Sequence, residues 1–298
     1  MDFERPISLE IKKREVSKNQ LFLLRKQIKA MRKRIVEKIK SQKDALYPIS
    51  AALGLIVIWQ LSVYLLSIPK FLLPGPILVI NEIFARWPLL FQHALVTLYE
   101  TSVGFGIAVI ISIPIAVIIV WSKPVEKMVM PLMVFLQTIP KIGIAALFIV
   151  WFGFGYFPKI LISFLLAYFP IVIQLITGLR DIEPEVMDLA KSMSASPLQS
   201  FIKIRIPNSL PYMFNGLKLG SLLALVGAVV GEFLGSKGGL GYLVIYANDR
   251  LNTTLLFADL VVLLLLGKLL FSIVEWAERY LISWHVVMRE KEKVMFTT

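Results

Sequence analysis

The chain of 298 residues is 57% hydrophobic, has a mean hydropathy of +0.75 and contains no cysteine. This composition excludes an ordinary soluble domain and indicates a membrane protein, and the lack of cysteine excludes disulfides, thiolate chemistry and cysteine-bound metals. The net charge of +12 would suit a nucleic-acid-binding protein, but fourteen of the 32 Lys and Arg residues fall within residues 1–45. We therefore assign the charge to one tail and expect no nucleic-acid partner.

The N-terminal tail, residues 1–45, is predicted to contain a basic amphipathic helix. Its apolar residues recur at helical spacing: Leu21, Leu24, Ile28, Met31 and Ile35. Attraction to anionic lipid headgroups is the favoured role, so membrane lipids are expected partners. Contact with another subunit, or a helix that only fixes orientation, are the alternatives.

Six apolar stretches of about 20 residues, the length that crosses a hydrocarbon core, predict an all-α polytopic membrane protein. Their approximate bounds are 46–68, 94–121, 128–150, 157–178, 212–235 and 255–279. If the N-terminus is cytoplasmic, 24 basic residues lie inside and five outside, so the positive-inside rule predicts that both termini are cytoplasmic. A six-span transmembrane domain is thus expected over 46–285, followed by a cytoplasmic tail over 286–298.

The segment 183–207, between the fourth and fifth spans, is predicted to form a cytoplasmic hairpin of two short helices. Pro184 and Glu185 suit the first turn of one helix, Ser196 suits the N-cap of the next, and Pro207 is expected to end it. Helices this short need a partner surface. The hairpin either packs on its own bundle or docks on another subunit.

The spacing within the hairpin resembles the signature loop of ATP-binding-cassette importer permeases: Glu-Ala-Ala, three residues, Gly, nine residues, Ile-x-Leu-Pro. Every gap matches, with Asp188 in place of Glu, Leu189 in place of the first Ala, Ser194 in place of Gly and Ile206 in place of Leu. Serine at the glycine position costs roughly 1 kcal/mol if the turn is left-handed. The resemblance implies an ATPase-coupling role for a set of hairpin residues: Glu185, Asp188, Leu189, Ala190, Ser194, Ile204, Ile206 and Pro207.

Three further stretches are similar to the subgroup of these permeases that takes up nitrate, sulfonates, taurine and thiamine precursors, so that the resemblance covers roughly residues 64–285. They are "FLLPGPILVINEIF" (71–84), "FIVWFGFGYFPKILI" (148–162) and "VVGEFLGSKGGLGYLV" (229–244). The resemblance implies a bacterial inner-membrane type I importer permease. Its implied partners are a second permease chain, forming a homodimer, two ATPase subunits and an extracytoplasmic substrate-binding protein. ATP and Mg would belong to the ATPase, so this chain is expected to hold no cofactor and not to be an enzyme.

Charged and amide side chains within apolar spans usually face a cavity or a partner, because burying them in lipid is costly. Five are candidate pathway-lining residues: Glu100, Gln137, Lys141, Gln174 and Glu232. For Lys141 and Glu232, a structural ion pair within the bundle or snorkelling toward an interface is an equally weighted alternative, and Glu100 could pair with Lys141. If Glu100 faced the pathway instead, it would disfavour an anion and favour a neutral or cationic heterocycle such as a thiamine precursor.

No catalytic or metal-binding arrangement is evident, since His93 and His285 lie far apart and serines such as Ser163 suit close helix packing. The sequence "GSKGGLG" (235–241) superficially resembles a phosphate loop, but it follows an apolar span and is expected to form a tight turn. An ion-gradient-driven secondary transporter is the alternative function. That class is expected to show an internal repeat relating its two halves, and none is evident.

Overall fold

The computed structural model describes Tyr47 and residues 50–282, and this part of the chain consists of helices and short connections without a strand. The tails predicted over 1–45 and 286–298 lie outside the described residues. The all-α membrane fold expected from the sequence is confirmed, because the described helices include several that are long and apolar enough to cross a bilayer.

The helices of the described residues are numbered in chain order. They are α1 (Ser50–Leu65), α2 (Pro76–Ala85), α3 (Trp87–Trp121), α4 (Lys123–Thr138), α5 (Lys141–Phe152), α6 (Tyr156–Arg180), α7 (Pro184–Ser192), α8 (Pro197–Ser200), a π-helical turn (Phe201–Arg205), α9 (Ile206–Gly235), α10 (Leu240–Asp249) and α11 (Thr253–Leu281).

The chain divides into two compact units, Met1–Ser67 and Ile68–Thr298. The first contains α1, which falls within the predicted first span and is about 24 Å long at 1.5 Å per residue. That length is short of the ~30 Å hydrocarbon core of a bilayer. The second unit contains α2 to α11 and every candidate site residue.

Helices α3, α6, α11 and the helical run Pro197–Gly235 are each long and apolar enough to span a membrane. The predicted third span, 128–150, is not one helix, because α4 and α5 meet at 90°. Ile139 has extended backbone at ψ 131°, as expected before a proline, and Pro140 has no N–H to continue the helix. The described residues therefore contain four candidate spans and one bent pair rather than six continuous spans.

Helix α6 packs closely against both α3 and α9 through small residues. A Cβ atom on Gly104 of α3 would lie 2.6 Å from Ser163 Cβ, and a Cβ on Gly227 of α9 would lie 2.7 Å from Ser163 Cα. No side chain fits at either crossing, so the helix backbones approach as small-residue contacts allow in membrane bundles. The packing role predicted for Ser163 is confirmed.

The two ends of this bundle differ in what they carry, and each is named for its landmark. The hairpin end is where α6 ends and α9 begins, with α7 and α8 between them. The Glu232 end is where α3 and α6 begin and α9 ends. Buried polar contacts join helices at both ends, and a cavity opens between them at the break of α4 and α5.

Candidate transport pathway and coupling hairpin

The first half of the hairpin is a nine-residue helix, α7, that ends in a left-handed turn. Pro184 opens the helix, as predicted. Ser194 has φ +58°, and beside it the Ala195 N–H donates to the Ala190 carbonyl at 3.0 Å. This six-residue closure around a left-handed residue is the helix ending for which glycine is favoured. Ser194 therefore adopts the conformation expected of the signature glycine.

The second half of the hairpin begins with a capping box. The Gln199 N–H donates to Ser196 Oγ at 3.2 Å, and the Ser196 N–H donates to Gln199 Oε1 at 2.9 Å. The prediction that Pro207 ends this helix is wrong, because the chain passes through the π-helical turn directly into α9. Pro207 lies in the first turn of α9, where a missing N–H is tolerated, and a π turn absorbs the extra residue.

Apolar side chains project from the hairpin into the surroundings. Leu189, Met193 and Leu198 are 61%, 74% and 56% exposed, whereas Ala190 is buried against the bundle. Asp188 lies beside this apolar patch and pairs with Lys191 at 2.8 Å, with both side chains exposed. The remaining predicted coupling residues are exposed or half-buried along the same hairpin: Glu185, Ile204, Ile206 and Pro207.

A set of hydrogen bonds joins the last residues of the hairpin and the first turns of α9 to the end of α6. Asn208 Nδ2 donates to the carbonyls of Gly178 at 3.1 Å and Asp181 at 2.6 Å. Arg205 donates to the Leu179 carbonyl at 3.0 Å, and the Tyr212 hydroxyl donates to the Asp181 carboxylate. These contacts satisfy helix-terminal carbonyls that have no intrahelical donor. Sequence reasoning missed all of them, since three have backbone acceptors that leave no side-chain pattern and the Tyr212–Asp181 pair is 31 residues apart in sequence.

A cavity of about 480 Å³ lies at the break between α4 and α5. Three of the predicted pathway residues line it: Gln137, Lys141 and Gln174. The remaining wall is apolar and comes from the middle of α6 and α9, including Phe169 and Leu219. Lys141 donates to the Gln137 carbonyl in the last turn of α4. The structure therefore brings together one cation and two carboxamides near the middle of the bundle.

The other two predicted pathway residues, Glu100 and Glu232, lie at the Glu232 end, outside the lining of that cavity. Both are buried, at 0% and 1% exposure. Glu100 forms an ion pair with Lys159, not with Lys141 as the sequence allowed. Lys159 also donates to Ser236 Oγ at 3.0 Å. A single buried network thus joins α3, α6 and the end of α9, which corresponds to the structural ion pair weighed from the sequence.

Glu232 holds the glycine-rich turn that follows α9. Its carboxylate accepts hydrogen bonds from Thr97 Oγ1 at 2.7 Å and from the Gly241 N–H at 2.6 Å. Gly239 has φ +102°, and its N–H donates to His93 Nδ1 at 3.0 Å. The tight turn expected from the sequence is therefore present, and the protein's own side chains occupy the N–H groups that a phosphate would need.

The long apolar helices, the bent pair beside a cavity that contains three polar side chains, and the exposed helical hairpin are typical of a multi-pass membrane transport protein. The chain belongs to the family of binding-protein-dependent transport system inner membrane components, whose model matches residues 104–283. The family resemblance noted in the hairpin is thereby confirmed. Chains of this family are permease subunits and not enzymes, and ATP hydrolysis falls to separate subunits.

Relatives place the chain among importer permeases of the predicted subgroup. A probable ABC transporter permease of Haemophilus influenzae is 37% identical over 74% of this chain and 91% of its own length. The formylaminopyrimidine transport permease ThiX of Halalkalibacterium halodurans is 34% identical over 83% and 98%. The putative aliphatic sulfonates transport permease SsuC of Bacillus subtilis is 30% identical over 77% and 84%.

Among solved structures, the chain is similar to an inward-facing form of the MetNI methionine ABC transporter. The TM-score is 0.58 at 21% identity, over 66% of this chain and 97% of the matched chain. At this identity the likeness shows the fold, which is that of a type I importer permease.

Proposed function

We propose that this chain forms the substrate pathway of an ATP-driven importer and is moved by a separate ATPase through the hairpin at residues 183–207. The observation that carries the proposal is the hairpin itself, which exposes Leu189 and Met193 while its base is bound to α6 and α9. An exposed apolar patch on a firmly attached element is typical of a protein-binding surface.

The coupling mechanism follows from the attachment of the hairpin. Closure of an ATPase dimer on ATP would draw two hairpins together. Arg205 binds the hairpin to the last turn of α6, and Asn208 binds the start of α9 to the same turn, so movement of the hairpin would tilt α6 and α9 as one body. Rigid-body tilting of this kind gives alternating access to a central site. The central cavity at Gln137, Lys141 and Gln174 is the proposed site.

The proposed assembly contains two copies of this permease, two ATPase subunits and an external substrate-binding protein. The hairpin end and both termini would be cytoplasmic, in accord with the 24-to-5 asymmetry of basic residues. The basic tail over 1–45 would contact anionic lipids on that side, and the C-terminal tail over 286–298 would lie there too. ATP and Mg would bind only to the ATPase subunits.

The proposed substrate is a small solute of the kind handled by the subgroup: a thiamine precursor, a sulfonate, taurine or nitrate. A thiamine-precursor pyrimidine is the first to test, because the formylaminopyrimidine permease matches over nearly its whole length. The argument against anions from Glu100 loses its force, since Lys159 neutralises that carboxylate away from the central cavity.

Reconstitution tests the function directly. Proteoliposomes containing the permease, its ATPase and the binding protein should take up substrate when ATP is supplied and should continue when ion gradients are collapsed. Uptake that follows the ion gradient and ignores ATP would establish a secondary transporter instead. Identifying the ligand of the companion binding protein would name the substrate.

The proposed orientation has its own test. A reporter fused after Lys293 or within 190–200 should be cytoplasmic, and one inserted within 236–252 should lie outside. Reversed positions of these reporters would overturn the orientation of the hairpin and, with it, access of the ATPase.

A further inference from the structure

The lysine at the central cavity, Lys141, differs from two lysines of the long apolar helices. Lys159 and Lys218 each form an ion pair with a glutamate, Glu100 and Glu278 respectively. Lys141 has no carboxylate within ion-pair distance among residues 50–282. Lys268 of α11 likewise has no ion pair in the described residues, but it is exposed and does not line the cavity, whereas Lys141 does.

The hydrogen bond that Lys141 makes does not exhaust its capacity. An ammonium group has three N–H donors, and one of them goes to the Gln137 carbonyl at the end of α4. The carbonyls in the last turn of a helix attract a cation, which explains why the side chain is stable at that position. The other two N–H groups of Lys141 donate to no protein acceptor among the described residues.

The walls of the cavity supply hydrogen-bonding groups but no acid. Gln137 and Gln174 each carry a carboxamide, and the other lining side chains are apolar. A volume of about 480 Å³ falls within the usual range for small-molecule sites, roughly 300–1,000 Å³. Leu219 and Leu223 place the cavity at the middle of α9, the depth at which membrane transporters bind their substrates.

We infer that this cavity binds the transported solute through an acceptor group held by Lys141 and the carboxamides of Gln137 and Gln174, and that Lys141 excludes cations from the pathway. The inference rests on the proposed function of the chain as a permease. Its ligand class is a small anion, such as a sulfonate or carboxylate, or a neutral heterocycle with carbonyl or ring-nitrogen acceptors. A cationic solute would meet a like charge that no carboxylate of the described residues compensates.

Because the chain contains no cysteine, one introduced thiol can report the electrostatic potential in this cavity. Leu223→Cys places a thiol on the cavity wall and keeps Gln137, Lys141 and Gln174. In the assembled transporter, the introduced thiol is labelled with two methanethiosulfonate reagents, the anionic sulfonatoethyl and the cationic trimethylammonioethyl compound. The quantity measured is the ratio of the anionic to the cationic labelling rate. Adding Lys141→Met should lower this ratio about tenfold, while Lys141→Arg should preserve it.

A matched thiol controls for global changes. Phe154→Cys is exposed near the Glu232 end, outside the lining of the central cavity, and its ratio should not respond to Lys141→Met. An unchanged ratio at Leu223→Cys, or no reaction with either reagent, would overturn the inference. Either result would mean that the Lys141 charge does not act on a water-accessible cavity.

Protection of the same thiol tests ligand binding. Methanesulfonate, cytosine and choline are added separately during labelling of Leu223→Cys. Slower labelling with methanesulfonate or cytosine supports binding and separates the anionic from the neutral class. Protection by choline, or by none of the three, contradicts the proposed ligand class. ATP-driven uptake is measured in a separate experiment. If labelling behaves as expected but uptake does not depend on ATP, the importer proposal is wrong and the inference about the cavity still holds.

Discussion

Two turns of the molecule contain a residue with left-handed backbone and have opposite surroundings. At the hairpin end, Ser194 has φ +58° and is exposed, next to the exposed apolar side chains Leu189 and Met193. At the other end, Gly239 has φ +102° and is buried beside the Glu232 carboxylate. The first turn leaves its surface free for a partner, and the second is enclosed by hydrogen bonds from its own chain.

The contrast separates residues that hold the bundle from residues that transmit motion. At the Glu232 end the buried Glu100 is paired with Lys159, and removing one member of a buried ion pair is strongly destabilising. At the hairpin end the charged residues Asp188 and Lys191 are exposed and pair weakly. Substitutions at the Glu232 end should therefore change stability, and those at the hairpin end should change coupling.

The largest expected effect is on stability, from Gly239→Ala. A Cβ atom there would overlap the Glu232 carboxylate, which cannot move without breaking its bonds to Thr97 and the Gly241 N–H. Left-handed backbone adds strain for any residue with a Cβ. We expect a loss of about 2–4 kcal/mol, seen as a thermal unfolding midpoint about 5–10 °C lower in detergent.

A neighbouring glycine gives the control for that substitution. A Cβ on Gly238 would meet only Val96 Cγ2, at 3.9 Å, and Gly238 is outside the left-handed region. Gly238→Ala should leave the midpoint nearly unchanged. Equal shifts for the two variants would mean that the turn is not enclosed by Glu232 as described.

The next effect is on coupling, from Asp188→Lys. The exposed carboxylate at the rim of the apolar patch is expected to meet basic groups of the ATPase, and charge reversal would replace attraction with repulsion. Lysine is a better helix former than aspartate, so folding and membrane insertion should be normal. Co-purification with the ATPase and substrate-stimulated ATP hydrolysis should both fall severalfold.

The Asp188–Lys191 pair offers a control for local effects. The double variant Asp188→Lys with Lys191→Asp restores an ion pair within the helix but keeps positive charge at position 188. It should remain uncoupled. Recovery of ATPase association in the double variant, or unaltered association in the single one, would show that position 188 does not meet the partner.

A smaller effect is expected from Asn208→Leu, which removes two hydrogen bonds to the end of α6. The exposed patch would be intact, so the ATPase should still associate, but hairpin motion would reach α6 less fully. Uptake per ATP hydrolysed should fall a few-fold, with about 1–2 kcal/mol of lost stability. Asn215→Leu, an exposed position on the same helix, is the control. Equal effects of the two substitutions would show that the Asn208 hydrogen bonds do not transmit hairpin motion to α6.

Much of this architecture follows from the sequence, because its signals are local. Apolar runs identify the long helices, and the capping of α8 by Ser196 follows from residues three apart. The 90° break at Pro140 did not follow from the sequence, since a proline indicates a disturbance of the helix but not its angle. The pairing of Glu100 with Lys159 and the hydrogen bonds of Glu232 could not be predicted from the sequence, because the partners are distant in sequence or belong to the backbone.

The smallest effect, and the sharpest measure of the hairpin turn, is expected from Ser194→Gly. Serine at φ +58° carries a strain of roughly 1 kcal/mol that glycine lacks, while glycine gains freedom in the unfolded chain. The net stabilisation should be about 0.5 kcal/mol, a rise of about 1–2 °C in the unfolding midpoint, with ATPase association unchanged or slightly stronger. Ser192→Gly is the matched control two residues earlier, at the last residue of α7, where the backbone is right-handed and the substitution also removes the hydrogen bond from Ser192 Oγ to the Leu189 carbonyl, so glycine should be mildly destabilising. The two substitutions should therefore shift the midpoint in opposite directions, and shifts of the same sign would show that Ser194 is not held in the left-handed conformation.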